Sequence, residues 1–259
     1  MPAIVWKDPS SWMDMIDAAL DGRLACAAEP RIKLADTKDW YLDDSEWVDL
    51  LAHCLDEDAD DLVDELTERL IGQTLRAYHG CRPANLDSYR KHGIRMLDCT
   101  AIIVLTREWL ETVPNNEGLL PLLSDMTERV GPATREGHVY FGLDDRFLVE
   151  HCGHYLIYGS EFLTAGFGRQ RQVLTTRGRP TVIEVDVPIG LMKLNLRREL
   201  ASLLLRDWAR IAAWGEVRTF PENFGFSLRQ DVPPSWIVGF THPLRVPDPL
   251  ERRRVWTFD

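Results

Sequence analysis

The stretch AYHGCRPANLDSYRKHGIRML, Ala77 to Leu97, decides how the rest of the chain is read. Thr74, Leu75, Ala77 and Tyr78 lead into it as a short strand, and that strand ends on His79 and Gly80. A polar turn with Arg82 and Pro83 follows. ANLDSYRKHGI, Ala84 to Ile94, then reads as a short helix stopped by Gly93, a residue type that commonly ends helices. A histidine at a strand end can offer both ring nitrogens to a hydroxyl. The glycine beside it leaves its backbone N–H and C=O open to a close neighbour.

Working outward, the preceding segment is helical. In residues 10–28, Trp12, Met15, Ile16, Ala19 and Leu20 recur at helical spacing, with Ser10 or Ser11 as cap. Residues 45–71 carry an apolar stripe of Val48, Leu51, Leu55, Leu62, Leu66 and Leu70, with acids outside it. Downstream, TREWLETV is expected to start a helix, GHVYFGLDD (Gly137 to Asp145) a strand, and residues 146–163 one apolar helix. RPTVIEVDVPI (Arg179 to Ile189) alternates as a strand does, and LRRELASLLLRDWARIAAW is a strong helix. GEVRTF, FGFSLRQ and PSWIVGFTH are three short strand candidates. Helices first and then short strands with helices between them predict an α+β fold. No GxGxxG follows a strand and no GxxxxGK[ST] occurs, so the dinucleotide-binding Rossmann and P-loop readings lose their support.

The bulk composition narrows the class. The chain has 259 residues, 45% hydrophobic and 27% charged, enough for one large domain or two small ones. No apolar run approaches the ~20 residues of a membrane helix, and no secretory signal is expected. The five cysteines, Cys26, Cys54, Cys81, Cys99 and Cys152, form no CxxC pair. A disulfide framework is therefore not expected, and a reducing cytoplasm is the simplest setting. The net charge of −11 opposes broad nucleic-acid binding. Bases gather late, in RQRQVLTTRGR, LRREL and ERRRV, and are read chiefly as solvated surface charge.

Taken together, His79, Gly80, Arg82, Asn85, Gly93 and Ile94 resemble the first motif of the diphtheria-toxin-like and poly(ADP-ribose) polymerase-like ADP-ribosyltransferases. That resemblance implies split antiparallel sheets around a cleft for NAD, which is consumed as a substrate. It implies that His79 holds a ribose hydroxyl and that the Gly80 backbone pairs with the nicotinamide amide, while Arg82 and Asn85 bind or shape the turn. The second motif of the family is a strand tyrosine and a helix aromatic that sandwich nicotinamide. HVYFGLDDRFLVEHCGHYLIYGSEFL is similar, with Tyr140 on the strand and Tyr155 or Tyr158 on the helix. The spacing departs from the usual one, which would fall on His151 or Cys152.

The third motif is a glutamate on a late strand that stabilises the cationic sugar as nicotinamide leaves. Glu222 is the first choice, Glu216 the second and Glu161 the third; Glu199 lies in a helix and Glu251 in a basic tail. The resemblance thus implies an ADP-ribosyltransferase acting on a protein or nucleic-acid acceptor, as a bacterial toxin or phage-defence effector would. It covers about residues 73–242, so residues 73–259 are taken as the transferase-like domain and residues 1–72 as an acidic helical region that a partner or inhibitor could cover. The alternative is a catalytically degenerate NAD-binding module. His138, His151, His154 and Cys152 cluster, but without HExxH no metal site is expected. G-x-S-x-G is absent too.

Overall fold

Asp58 illustrates how local chemistry shapes the helical part of this α+β chain. Residues 45–71 are not one helix but two, α2 (Glu46–Leu55) and α3 (Ala59–Arg69). Asp56 sits at φ 54°, which no helix continues through. Asp58 then caps α3 by accepting from the Asp60 and Asp61 amides. The computed structural model describes residues 2–20, 46–130, 136–215, 217–252 and 254–258. Residues 21–28 of the expected first helix, Cys26 and Glu216 lie outside the described residues; α1 spans Met13–Leu20.

The chain divides into two units. The first joins Met1–Arg76 to Val187–Pro221. Its centre is the 21-residue helix α11 (Leu194–Trp214), which buries Leu200, Leu204 and Trp208 as it packs on α2 and α3. Trp208 Nε1 donates to Asp17 at 3.2 Å, and Trp214 meets Trp47 edge-on at 4.7 Å. This unit takes α11 in with the N-terminal helices because the helix's apolar face is completed there.

The second unit joins Ala77–Asp186 to Glu222–Asp259. It contains most of a five-stranded sheet in the order β4-β2-β1-β3-β5: β1 Thr74–Cys81, β2 Val139–Gly142, β3 Thr181–Pro188, β4 Gly225–Leu228 and β5 Ile237–Thr241. The pairs β1–β2, β2–β4 and β3–β5 run antiparallel. A separate hairpin of β6 (Arg245–Asp248) and β7 (Arg254–Thr257) closes the chain. Neither of its strands was expected from the sequence; Pro247 and the Asp248-Pro249 turn mask the short alternation.

Several helices depart from the sequence reading. The helix expected at TREWLETV begins earlier, as α5 (Cys99–Leu110), because Asp98 caps it by accepting from the Ala101 amide at 2.9 Å. Two short helices, α6 (Leu120–Ser124) and α7 (Met126–Val130), precede β2, and residues 146–163 form three more, α8 (Asp145–His151), α9 (His154–Tyr158) and α10 (Glu161–Phe167). The breaks fall at Cys152, where φ is −111° and ψ 23°, and at Gly159, where φ is 84° and Ser160 caps the next helix. GEVRTF forms no strand over its described residues, and β2 runs past Tyr140 to Gly142. No helix among the described residues is long and apolar enough to cross a membrane.

The helix α4 (Asp87–His92) ends where the sequence places its stop. Gly93 takes φ 73° and ψ −158°, a region essentially reserved for glycine. A side chain there would also collide with the Val232 carbonyl, which accepts from the Ile94 amide at 3.0 Å. Gly93→Ala should therefore cost about 3 kcal/mol or more of stability, read by equilibrium urea denaturation.

Candidate functional site

The site is built from the ends of β1, β2 and β4. Phe141 and Phe226 pair across β2 and β4, stack at 5.2 Å, and are both buried. Val139 and Leu228 pair on the same face and are buried too. These four apolar side chains set the register, because a slip of one residue would turn them outward. The register places Tyr78 opposite Gly142 and Gly142 opposite Gly225. The His79 and Phe141 rings lie 6.1 Å apart.

A cavity of about 180 Å³ opens here, within the second unit. His79, Gly80, Tyr140, Tyr155 and Glu222, all named from the sequence, line it together. Tyr140 is 37% exposed and stacks on His138 at 5.7 Å. Above Gly80 the helices come close: a Cβ on Gly80 would lie 3.3 Å from the Tyr155 Cβ and 3.2 Å from Leu148. Leu148 and Tyr155 therefore close over a residue that has no side chain. Tyr155 is held in place by its hydroxyl, which donates to Glu161 Oε2 at 2.7 Å.

The electrostatics of His79 follow from one bond. Its Nδ1 lies 2.9 Å from the Tyr140 carbonyl. A carbonyl only accepts, so Nδ1 carries the proton, and in the neutral ring Nε2 is an acceptor. Burial lowers the pKa below 6.5, and the bond to the Tyr140 carbonyl opposes this only in part. The ring is thus held neutral in the ordinary range.

Asp144 also lines the cavity, and the sequence reading passed over it. Burial pushes its carboxyl up, but hydrogen bonds from Arg146 and from the Glu222 and Arg146 amides outweigh this and leave it below the usual range. The signal was present: an aspartate directly before the apolar segment DRFLVEH is a helix cap, and Asp144 accepts from the Arg146 amide at 2.9 Å. Phe147 and Asn223 were likewise passed over as lining residues, and nothing in their local pattern separates them from core or loop. Cys152, one of the two positions on which the usual spacing falls, lines the cavity as well.

Arg82 and Tyr158 are not among the lining residues. Arg82 spends its guanidinium on backbone carbonyls, those of Thr175 at 2.6 Å, Arg177 at 2.8 Å and Leu156 at 3.3 Å. It also stacks over Phe258, and burial lowers its pKa to about 10. Tyr158 is buried and donates to Asp248 Oδ2 at 2.5 Å; burial first, and that bond second, push its pKa up to about 12. Glu161 stands behind Tyr155 rather than in the lining, and Asn85 caps its own turn by accepting from the Asp87 amide. Glu222 lies on the irregular segment before β4, not on a strand. Among the histidines of the second cluster, His138 bonds Ser227 at 3.0 Å, His151 stacks on Phe147 and His154 lies against Tyr155.

Two outcomes follow. Arg82→Lys cannot reproduce a planar fork aimed at three carbonyls, so it should lose ~3 kcal/mol of stability while leaving the affinity of a cavity ligand unchanged; thermal melts and calorimetry separate the two. For His79, the unfolded chain takes up a proton that the folded chain resists. Stability should therefore fall as pH drops below about 6.5 and level off below the depressed folded value. His79→Gln should show a shallower loss over that window in denaturation curves measured at successive pH values.

Set against protein-family models, curated proteins and solved structures, the chain matches none, and the reading of the site rests on its own residues.

Proposed function

We propose that the chain is an NAD-dependent ADP-ribosyltransferase whose nicotinamide pocket is the cavity around Gly80. One observation carries the reading. Two tyrosines from different elements, Tyr140 and Tyr155, share one cavity lining with Gly80, His79 and Glu222. The slot suits a flat ring bearing a carboxamide. Tyrosine faces stack on a cationic ring, and the Gly80 backbone offers the donor and acceptor that the amide requires. The size agrees: an engineered cavity of ~150 Å³ accepts benzene, so about 180 Å³ suits the nicotinamide end and leaves the rest of the dinucleotide outside. A hydroxyl of the adjoining ribose would donate to His79 Nε2, which the neutral tautomer keeps as an acceptor.

In this reading the bond between the nicotinamide nitrogen and the ribose anomeric carbon breaks. Its electron pair leaves with the nitrogen and neutralises the pyridinium charge. Positive charge grows on the sugar, where the Glu222 carboxylate stabilises it. An acceptor nucleophile then bonds to the anomeric carbon and gives up its proton. The acceptor is a macromolecule in this reading. A second reading, a binding module on the same site, draws on the position of Glu222 before β4 instead of within a strand.

Purified protein incubated with NAD and a cell lysate should release nicotinamide. Glu222→Gln should slow that release ~100-fold while the affinity for a nicotinamide mimic holds, because the carboxylate acts on charge present only in the transition state. A wild type that binds the mimic but releases nothing with any lysate would move the assignment to the binding module.

A further inference from the structure

The peptide that carries Glu222 belongs to no helix or strand, yet it is fixed at three successive points. Gly225 pairs with Gly142 at the end of the β2–β4 ladder. The Leu143 amide donates to the Phe224 carbonyl at 2.9 Å and extends that ladder by one bond. The Glu222 amide then donates to Asp144 Oδ2 at 3.1 Å.

The carboxylate at the third point is unlike the other aspartate caps. Asp58 and Asp98 make their amide contacts at the surface. The side chain of Asp144 has no exposed surface. Its Oδ1 serves α8, accepting from the Arg146 amide at 2.9 Å. Its Oδ2 accepts from Arg146 Nη2 at 2.7 Å, and it is this oxygen that also takes the Glu222 amide. Arg146 Nε completes the fork, 3.0 Å from Oδ1 and 3.2 Å from Oδ2. A helix cap needs one oxygen. Burying a full carboxylate is costly unless every lone pair is answered, and here the second oxygen is answered partly by the backbone of the residue that the proposed chemistry uses.

We propose that Asp144 is a positioning residue: its buried carboxylate, clamped by Arg146, holds the Glu222 backbone at the cavity wall and so sets where the Glu222 side chain can act. The catalytic half of this assignment rests on the transferase reading above; the structural half does not. A clamp of this kind replaces the strand that would otherwise carry the glutamate. It ties the glutamate to the same β2 end that presents Tyr140, so the ring slot and the carboxylate move as one body.

The test has two arms. In the first, amide hydrogen exchange is followed by NMR in the wild type, Asp144→Asn and Asp144→Ala, with the amides of β1 as an internal reference for global stability. A bond to a charged acceptor is stronger than one to a neutral acceptor. Exchange at Glu222 should therefore quicken in the order wild type, Asn, Ala, by ~10-fold or more for Ala, beyond any change at β1. If the alanine variant does not fold, the wild-type and asparagine pair carries the same comparison. Exchange at Glu222 that changes only in step with β1 would overturn the proposal, whatever the activity. In the second arm, nicotinamide release is measured where each variant is fully folded. Asp144→Asn should lower kcat ~10-fold or more with little change in KM, and should add nothing to Glu222→Gln, since both act through one group. Full kcat in folded Asp144→Asn, with Glu222→Gln inactive, would reject the positioning role and leave the transferase reading intact. No release from any variant, with exchange at Glu222 still quickened, would reject the transferase reading and leave the clamp intact.

Discussion

The register of β2 between β1 and β4 is the constraint on which the site depends. It is held by a small block of buried apolar side chains, Val139, Phe141, Phe226 and Leu228, of which Phe141 also lines the cavity. Because side chains alternate along a strand, this block also decides what faces the other way. Tyr140 lies opposite Ser227 on β4 for that reason. A slip of one residue would bury the tyrosine and turn Phe141 out. The core thus fixes the register and, through Phe141, Leu148 and Phe224, also walls the cavity.

The same economy appears at the second tyrosine. Tyr155 comes from a helix of five residues, too short to hold itself in water. Its position is over-determined by contacts: its Cβ lies against Gly80, its hydroxyl bonds Glu161, and the His154 ring lies 4.2 Å away. Glu161, weighed from the sequence as a catalytic carboxylate, is thereby engaged in holding a ring.

What was legible in the sequence was local. The strand ending in His79-Gly80, the helix stopped at Gly93 and the strand of Tyr140 all follow from short patterns of turn chemistry and alternation, and each is found. The α+β class followed from the order of such patterns. What misled was continuity of hydrophobicity. Residues 45–71 and 146–163 look like single helices because their apolar positions keep helical phase across the breaks. Asp56, Cys152 and Gly159 interrupt the backbone without interrupting that phase. The membership of α11 was hidden for a related reason: a helix shows in its sequence that it has an apolar face, not which other face completes it.

Tyr155 and Tyr158 make the limit concrete. They stand three residues apart on one short helix, in the run HYLIY, and no property of that run ranks one above the other. Their difference is made elsewhere. Tyr155 packs its Cβ against Gly80, and the two residues line the cavity together. Tyr158 faces Asp248, ninety residues later in the chain, on a hairpin strand that the sequence reading missed. Asp248 is itself fully buried and also accepts from the Leu250 amide and from Trp256 Nε1. With its hydroxyl spent on that carboxylate, Tyr158 anchors the hairpin. Arg82 divides from Gly80 in the same way: two residues apart on the motif, one is bound to carbonyls of a distant segment and the other lines the cavity. A motif therefore brings a set of competent residues to one strand end, and it is the long-range polar partners that withdraw some of them from the cavity and leave the rest to line it.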